Sequence, residues 1–194
     1  MKILLPAFLL FAFLTSIGQT GPIRNWVDSE KTHTDSKGNS VKFIHSLPKG
    51  GGGVYKNGKK YGYVVFWTRI LNQSATPLEI RAKFPEITHF KSPESYIHII
   101  LPKEPMHIEK VQLYDYGLKN LESIFNLTTN QLPVLQKKIN PKEEYLFYIT
   151  VFIHTELRGA ARAKFELKGQ DLFYKISLGA DTTVIPCGSL AFNK

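Results

Sequence analysis

The chain has 194 residues, a formal net charge of +9, 43% hydrophobic and 21% charged residues. That balance excludes a disordered chain and one embedded in a bilayer along its whole length. The length suits one domain, and 13 Phe with 9 Tyr favour a β-rich core over a helical bundle.

Lys2 precedes an apolar run from Ile3 to Leu14 that is broken only by Pro6. The run is shorter than the roughly 20 apolar residues a spanning helix needs. Ser16-Ile17-Gly18 puts small residues at the −3 and −1 positions of a signal-peptidase site. Residues 1–18 therefore read as a signal peptide cleaved before Gln19. The mature chain is expected to be exported, periplasmic or extracellular, with no transmembrane span. One cysteine, Cys187, allows no internal disulfide, so burial alone must hold the domain. Cys187 lies between Pro186 and Gly188 in an apolar stretch and reads as a buried, inert thiol.

Residues 19–40 form a polar N-terminal lead with Trp26 as its large apolar anchor, and 41–194 read as a single β-sandwich domain. Val41, Phe43 and His45 alternate with Lys42, Ile44 and Ser46, a strand pattern. Pro48-Lys49 and Gly50 to Gly53 are expected to form a loop. Asn57-Gly58, between Tyr55 and Tyr61, is a strong hairpin signal. Tyr61 to Leu71 is apolar on both faces and so reads as a central strand. Leu78 to Phe84 alternates as a half-buried strand, and Tyr96 to Leu101 is a short strand fenced by Pro93 and Pro102. Leu118, Leu121, Ile124 and Phe125 have helical spacing, which predicts one short helix across the end of a sheet. Strands are then expected at Val134–Ile139, Tyr145–Thr155, Ala161–Leu167, Asp171–Ser177 and Thr183–Phe192. Of these, Tyr145–Thr155 is the second central one. Turn signals at such short intervals indicate an all-β, antiparallel sandwich.

Two pieces resemble immunoglobulin-like sandwiches of exported bacterial proteins. One is the strand ending Leu71-Asn72-Gln73-Ser74 and restarting at Pro77-Leu78. The other is Ile139-Asn140-Pro141-Lys142-Glu143-Glu144 leading into the strand from Tyr145. The lysine-glycine segment, Phe66-Trp67 and Ile185-Pro186-Cys187-Gly188 are similar to uncharacterised exported proteins of Bacteroidota. This resemblance implies an immunoglobulin-like fold and brings no activity with it.

The most unusual feature is electrostatic. Ser36 to Leu78 contains no Asp or Glu, while Lys37, Lys42, Lys49, Lys56, Lys59, Lys60 and Arg69 all lie there. Clustered positive charge attracts anionic partners in a salt-dependent way, and interleaved tyrosines add stacking faces. Lys49, Tyr55, Lys56, Lys59, Lys60 and Tyr61 are the candidate ligand-binding residues, for an anionic polysaccharide or an envelope lipid. The competing reading is that these lysines keep an edge hairpin from pairing with neighbours.

No catalytic residue, metal site or cofactor is expected. The four glycines follow a lysine and precede a hairpin, the wrong order and context for a phosphate loop. The histidines His33, His45, His89, His98, His107 and His154 show no zinc spacing. Asp115, Glu143, Glu144 and Asp171 could act as acids, but nothing in the sequence joins any two. No nucleic-acid motif is present. The expected function is a non-catalytic envelope binding or structural module. The alternative is a hydrolase whose site assembles only in three dimensions.

Overall fold

The computed structural model describes residues 26–90, 93–127, 132–154 and 159–193. The signal peptide expected over 1–18 lies outside these residues. The strands are β1 (Val27–Thr34), β2 (Ser40–Ser46), β3 (Lys49–Lys56), β4 (Lys59–Asn72), β5 (Leu78–Lys83), β6 (Thr88–His89), β7 (Tyr96–Ile100), β8 (Val134–Ile139), β9 (Glu144–His154), β10 (Ala161–Lys168), β11 (Asp171–Leu178) and β12 (Asp181–Phe192). They form two antiparallel sheets. The larger runs β1-β2-β4-β9-β7-β6, with β3 also paired to β4, and the smaller runs β10-β11-β12-β5-β8.

The inner core lies between the sheets. Phe43, Phe66, Ile70, Phe147, Ile149 and Val151 of the larger sheet meet Leu78, Ile80, Phe165, Tyr174, Ile176 and Leu190 of the smaller one. The two expected central strands, β4 and β9, pair side by side in the middle of the larger sheet. Asn72, at the end of β4, fastens both corners where the chain changes sheet. Its Nδ2 donates to the Thr76 carbonyl at 2.8 Å, Ile139 at 3.0 Å and Asn140 at 3.1 Å.

The other apolar face of β4 and β9 is covered by a second core. Tyr61, Tyr63, Val65, Trp67, Tyr148 and Phe152 pack beneath Met106, Val111, Tyr116, Leu118, Leu121 and Phe125. That covering layer holds two 3-10 turns, Ile108–Gln112 and Tyr114–Gly117, and the helix α1 (Leu121–Leu127). The expected helix thus starts later than its apolar spacing suggests. Asp115, Tyr116, Gly117 and Asn120 all have positive φ, which breaks any helix before Leu121. The helix also packs on the outer face of the sheet, not across its end.

Two further readings change. Part of the polar lead, Val27–Thr34, is a strand paired along β2, so the sheet begins before residue 41. The glycine segment is not a loop: Gly50 to Gly53 lie within β3, pairing with β4 across a register shift. Cys187 is buried, its thiol facing the Leu172 carbonyl at 3.3 Å, and burial pushes its pKa up to about 12.

Candidate functional site

The β3–β4 hairpin carries all six candidate residues, and the fold divides them into two groups. Tyr55 is 55% exposed, and Lys59 and Lys60 beside it are exposed on a turn closed by Asn57 and Gly58, both at positive φ. Neither lysine forms an ion pair among the described residues. This is the outward part of the predicted surface.

The remaining three residues anchor the hairpin. Lys49 donates to the carbonyls of Val111 at 2.7 Å and Leu113 at 2.8 Å. Its ammonium lies 3.8 Å from the Trp26 ring centre and 4.5 Å from that of Tyr116, a cation–π setting. Burial lowers its pKa, and Asp115 opposes that shift. Lys56 donates to the Phe125 carbonyl at 3.2 Å and sits 4.2 Å over the Phe125 ring. Burial lowers its pKa too. Tyr61 is only 5% exposed, with Phe125 edge-on at 4.8 Å. Burial and its contact with Tyr96 push its phenol up to about 12. Half of the predicted positive surface is therefore engaged inside the molecule.

The glycines exist to let Tyr63 cross the edge strand. A Cβ at Gly50 would lie 2.8 Å from the Tyr63 carbonyl oxygen, and one at Gly52 would lie 2.9 Å from its ring. Lying over this bare backbone, Tyr63 donates its hydroxyl to Asp115 Oδ2 at 2.7 Å. Asp115 is buried, and its Oδ1 has no hydrogen-bond partner among the described residues. Burial raises its pKa, while Tyr63 and Lys49 pull the other way. The same burial drives the Tyr63 phenol far above its ordinary range. The pair is a fixed internal contact at a left-handed turn, not an exposed acid.

The row that sequence reasoning missed crosses the larger sheet at the hairpin end. His154 lies one step beyond the Gly62–Ile153 pair, opposite Tyr61; Tyr96 pairs with His154, and His89 with Tyr96. Ring centres are 5.0 Å apart for Tyr61–His154, 4.7 Å for Tyr96–His154 and 5.9 Å for His89–Tyr96. His98 adjoins the row at 5.8 Å from Tyr61 and 5.6 Å from Tyr96. The Tyr61 and Tyr96 hydroxyls are 3.2 Å apart. In the sequence His98 and His154 are isolated strand residues, and His89 falls between the predicted strands. Only the pairing register, set by contacts up to 93 residues apart in the chain (Tyr61 to His154), brings them together.

Comparisons with protein-family models, curated proteins and solved structures find no match. The site must be judged on its own chemistry. Among the described residues, no three His, Cys, Asp or Glu side chains are grouped to hold a metal ion. No helix there is long and apolar enough to cross a membrane.

A separate cleft of about 690 Å³ opens at the opposite end of β4, between the β1–β2 turn, the β10–β11 turn and the end of β12. Asp35 at its rim is committed locally. It accepts the backbone N–H of Lys37 at 2.8 Å and of Asn39 at 2.9 Å, and the Asn39 side chain at 3.0 Å. The cleft is polar but presents no assembled charge.

Proposed function

We propose that the chain is an exported, non-catalytic recognition module that binds an anionic polysaccharide through the tip of its β3–β4 hairpin. Its frame on this reading is an immunoglobulin-like sandwich. The two antiparallel sheets and the Asn72 knot, which joins the two segments that resemble such sandwiches, support that frame. The observation that carries the functional reading is the asymmetry of the hairpin. Lys49, Lys56 and Tyr61 are clasped against the covering layer along its length, while Tyr55, Lys59 and Lys60 are exposed around the turn.

A clasped hairpin lowers the entropy cost of presenting the Tyr55 ring beside the ammonium of its cross-strand partner Lys60, with Lys59 on the opposite face of the turn. Such a tip suits a sulfated or carboxylated sugar, which offers a ring face and fixed negative charge at once. A bilayer fits less well. Insertion calls for several apolar side chains, and the tip around Tyr55 offers only Asn57 and Gly58 between its lysines.

The test is heparin binding as a function of salt. Surface charge is screened over about 8 Å at physiological ionic strength, so affinity should fall clearly between low and physiological salt. Lys59→Gln with Lys60→Gln should flatten that slope and leave the fold intact. Tyr55→Ala should weaken the part that salt does not affect. Unchanged binding by the double-Gln protein across salt would leave the lysines as edge protection. Binding to anionic vesicles but not to heparin would reassign the partner to lipid.

A further inference from the structure

Three of the six histidines surround Tyr96 beside the hairpin, and the reading above does not use them. We propose that His154, His89 and His98, set around Tyr96 and Tyr61, form an acid-charged extension of the same polyanion surface. Binding of an anionic polysaccharide then strengthens as pH falls through the imidazole range. This inference rests on the hairpin being a polyanion contact.

Geometry places the row beside the tip. Tyr61 lies two residues beyond Lys59 on β4, so the two share a face, and Tyr61 touches both His154 and His98. A chain of sugar rings crossing this face of the sheet end would therefore meet the Lys59 ammonium and then imidazoles in sequence. The hydrogen bonds also fix where protons go. His98 Nδ1 lies 2.9 Å from the Glu86 carbonyl, and His89 Nδ1 lies 3.1 Å from the Pro93 carbonyl. A carbonyl only accepts, so each ring carries its neutral-state proton on Nδ1. Nε2 is then the free nitrogen of each ring, the one open to a ligand. His154 Nδ1 is buried with no partner among the described residues.

The surrounding charges favour an anionic guest. Facing the cluster are Lys56 from β3, Tyr61 from β4, His89 from β6, Tyr96 and His98 from β7, and His154 from β9, with Phe125 from α1 as an uncharged wall. Glu86, in the segment before β6, is the acid that acts on His98 and Lys56. Burial holds His98 below the ordinary imidazole range, with Lys56 and His154 adding to that effect. Several cations gathering around one carboxylate repel one another. A bound polyanion relieves that repulsion, so binding and protonation assist each other by linkage.

The experiment is calorimetric titration with size-fractionated heparin, whose sulfate esters stay ionised, at pH 7.5 and 5.5 and equal ionic strength. Each imidazolium near a sulfate is worth about two- to threefold in affinity, so the wild type should bind roughly five- to twentyfold more tightly at pH 5.5. A His89→Gln, His98→Gln, His154→Gln protein should lose most of that gain, read as the ratio of its own affinities at the two pH values. Imidazole proton resonances of the wild type provide a second readout that needs no variant. The His98 resonances should titrate at higher pH when heparin is bound. A flat pH response in the wild type, a full gain in the triple variant, or a His98 titration unmoved by heparin each overturns the inference. Should the Lys59/Lys60 variant abolish salt dependence while the pH response stays flat, this inference alone fails. Absence of heparin binding at both pH values removes the hairpin reading along with it.

Discussion

His45 shows how one residue couples the two sheets to pH. Its position on the inward face of β2 follows from the alternation Val41, Phe43, His45. Its partners do not, since one of them, Phe165, is 120 residues away. The Phe165 N–H donates to Nε2 at 3.3 Å, so the neutral ring keeps its proton on Nδ1, 3.3 Å from Thr68 Oγ1. The imidazole thus satisfies a backbone N–H on β10, an edge strand of the smaller sheet. Burial lowers its pKa to about 3. The unfolded chain takes up this proton near pH 6.5 and the folded chain does not, so the group's stability is present above pH 6.5 and is lost as pH falls toward 3. At about 1.4 kcal/mol per pH unit, His45 alone should remove roughly 2–3 kcal/mol between pH 7.5 and 4.5. His45→Leu should cost about 1–3 kcal/mol at pH 7.5 by orphaning the Phe165 N–H, and should lose less than the wild type on acidification. Urea midpoints at the two pH values check this. Parallel pH slopes in the two proteins would contradict it.

At the level of elements, the glycine strand was the least legible part of the sequence. Four consecutive glycines carry no alternation, so they read as a loop. The reason they form a strand is on the neighbouring element: Tyr63 needs their bare backbone to reach Asp115. A one-residue signal cannot announce a contact that depends on the absence of side chains. Gly52→Ala should lift the ring and cost about 1–3 kcal/mol through the lost Tyr63–Asp115 bond and the crowding. Gly62→Ala on β4 is the control, because a Cβ there meets nothing within 4 Å. It should be neutral or stabilising by up to about 1 kcal/mol. In a Tyr63→Ala background the Gly52→Ala penalty should largely vanish, and a double-mutant cycle measures that coupling. Equal penalties in both backgrounds would mean the glycines serve some other contact. The helix illustrates the same limit. Its apolar spacing was readable, but the left-handed residues Asp115, Tyr116 and Asn120 that delay its start carry no signature in single-sequence periodicity.

Across the whole molecule, the apolar faces of β4 and β9 revealed two central strands without revealing what covers them. Doubly apolar strands need a layer on each side. The smaller sheet supplies one, and the segment from Met106 to Phe125 supplies the other. The two layers differ in how they are held. The sheets are bound by continuous strand ladders, whereas the covering layer hangs on side-chain clasps. Lys49 grips Val111 and Leu113, Lys56 grips Phe125, Tyr116 donates to the Leu47 carbonyl at 2.6 Å, and Tyr148 donates to that of Tyr116 at 2.7 Å. Regions held by few backbone hydrogen bonds open below the global unfolding free energy, so this layer should open before the sandwich does. Lys49→Met removes two hydrogen bonds and the cation–π contact while keeping the apolar stem. It should destabilise the layer by about 1–3 kcal/mol, since hydrogen bonds to a charged group are worth more than neutral ones. Both tryptophans report on this event, because Trp26 and Trp67 pack in the outer core beside Tyr116. In Lys49→Met the fluorescence transition in urea should therefore precede loss of the β-sheet dichroism, with amide exchange accelerated first over residues 106–127. Coincident transitions and uniform exchange would show that the two cores unfold as one unit.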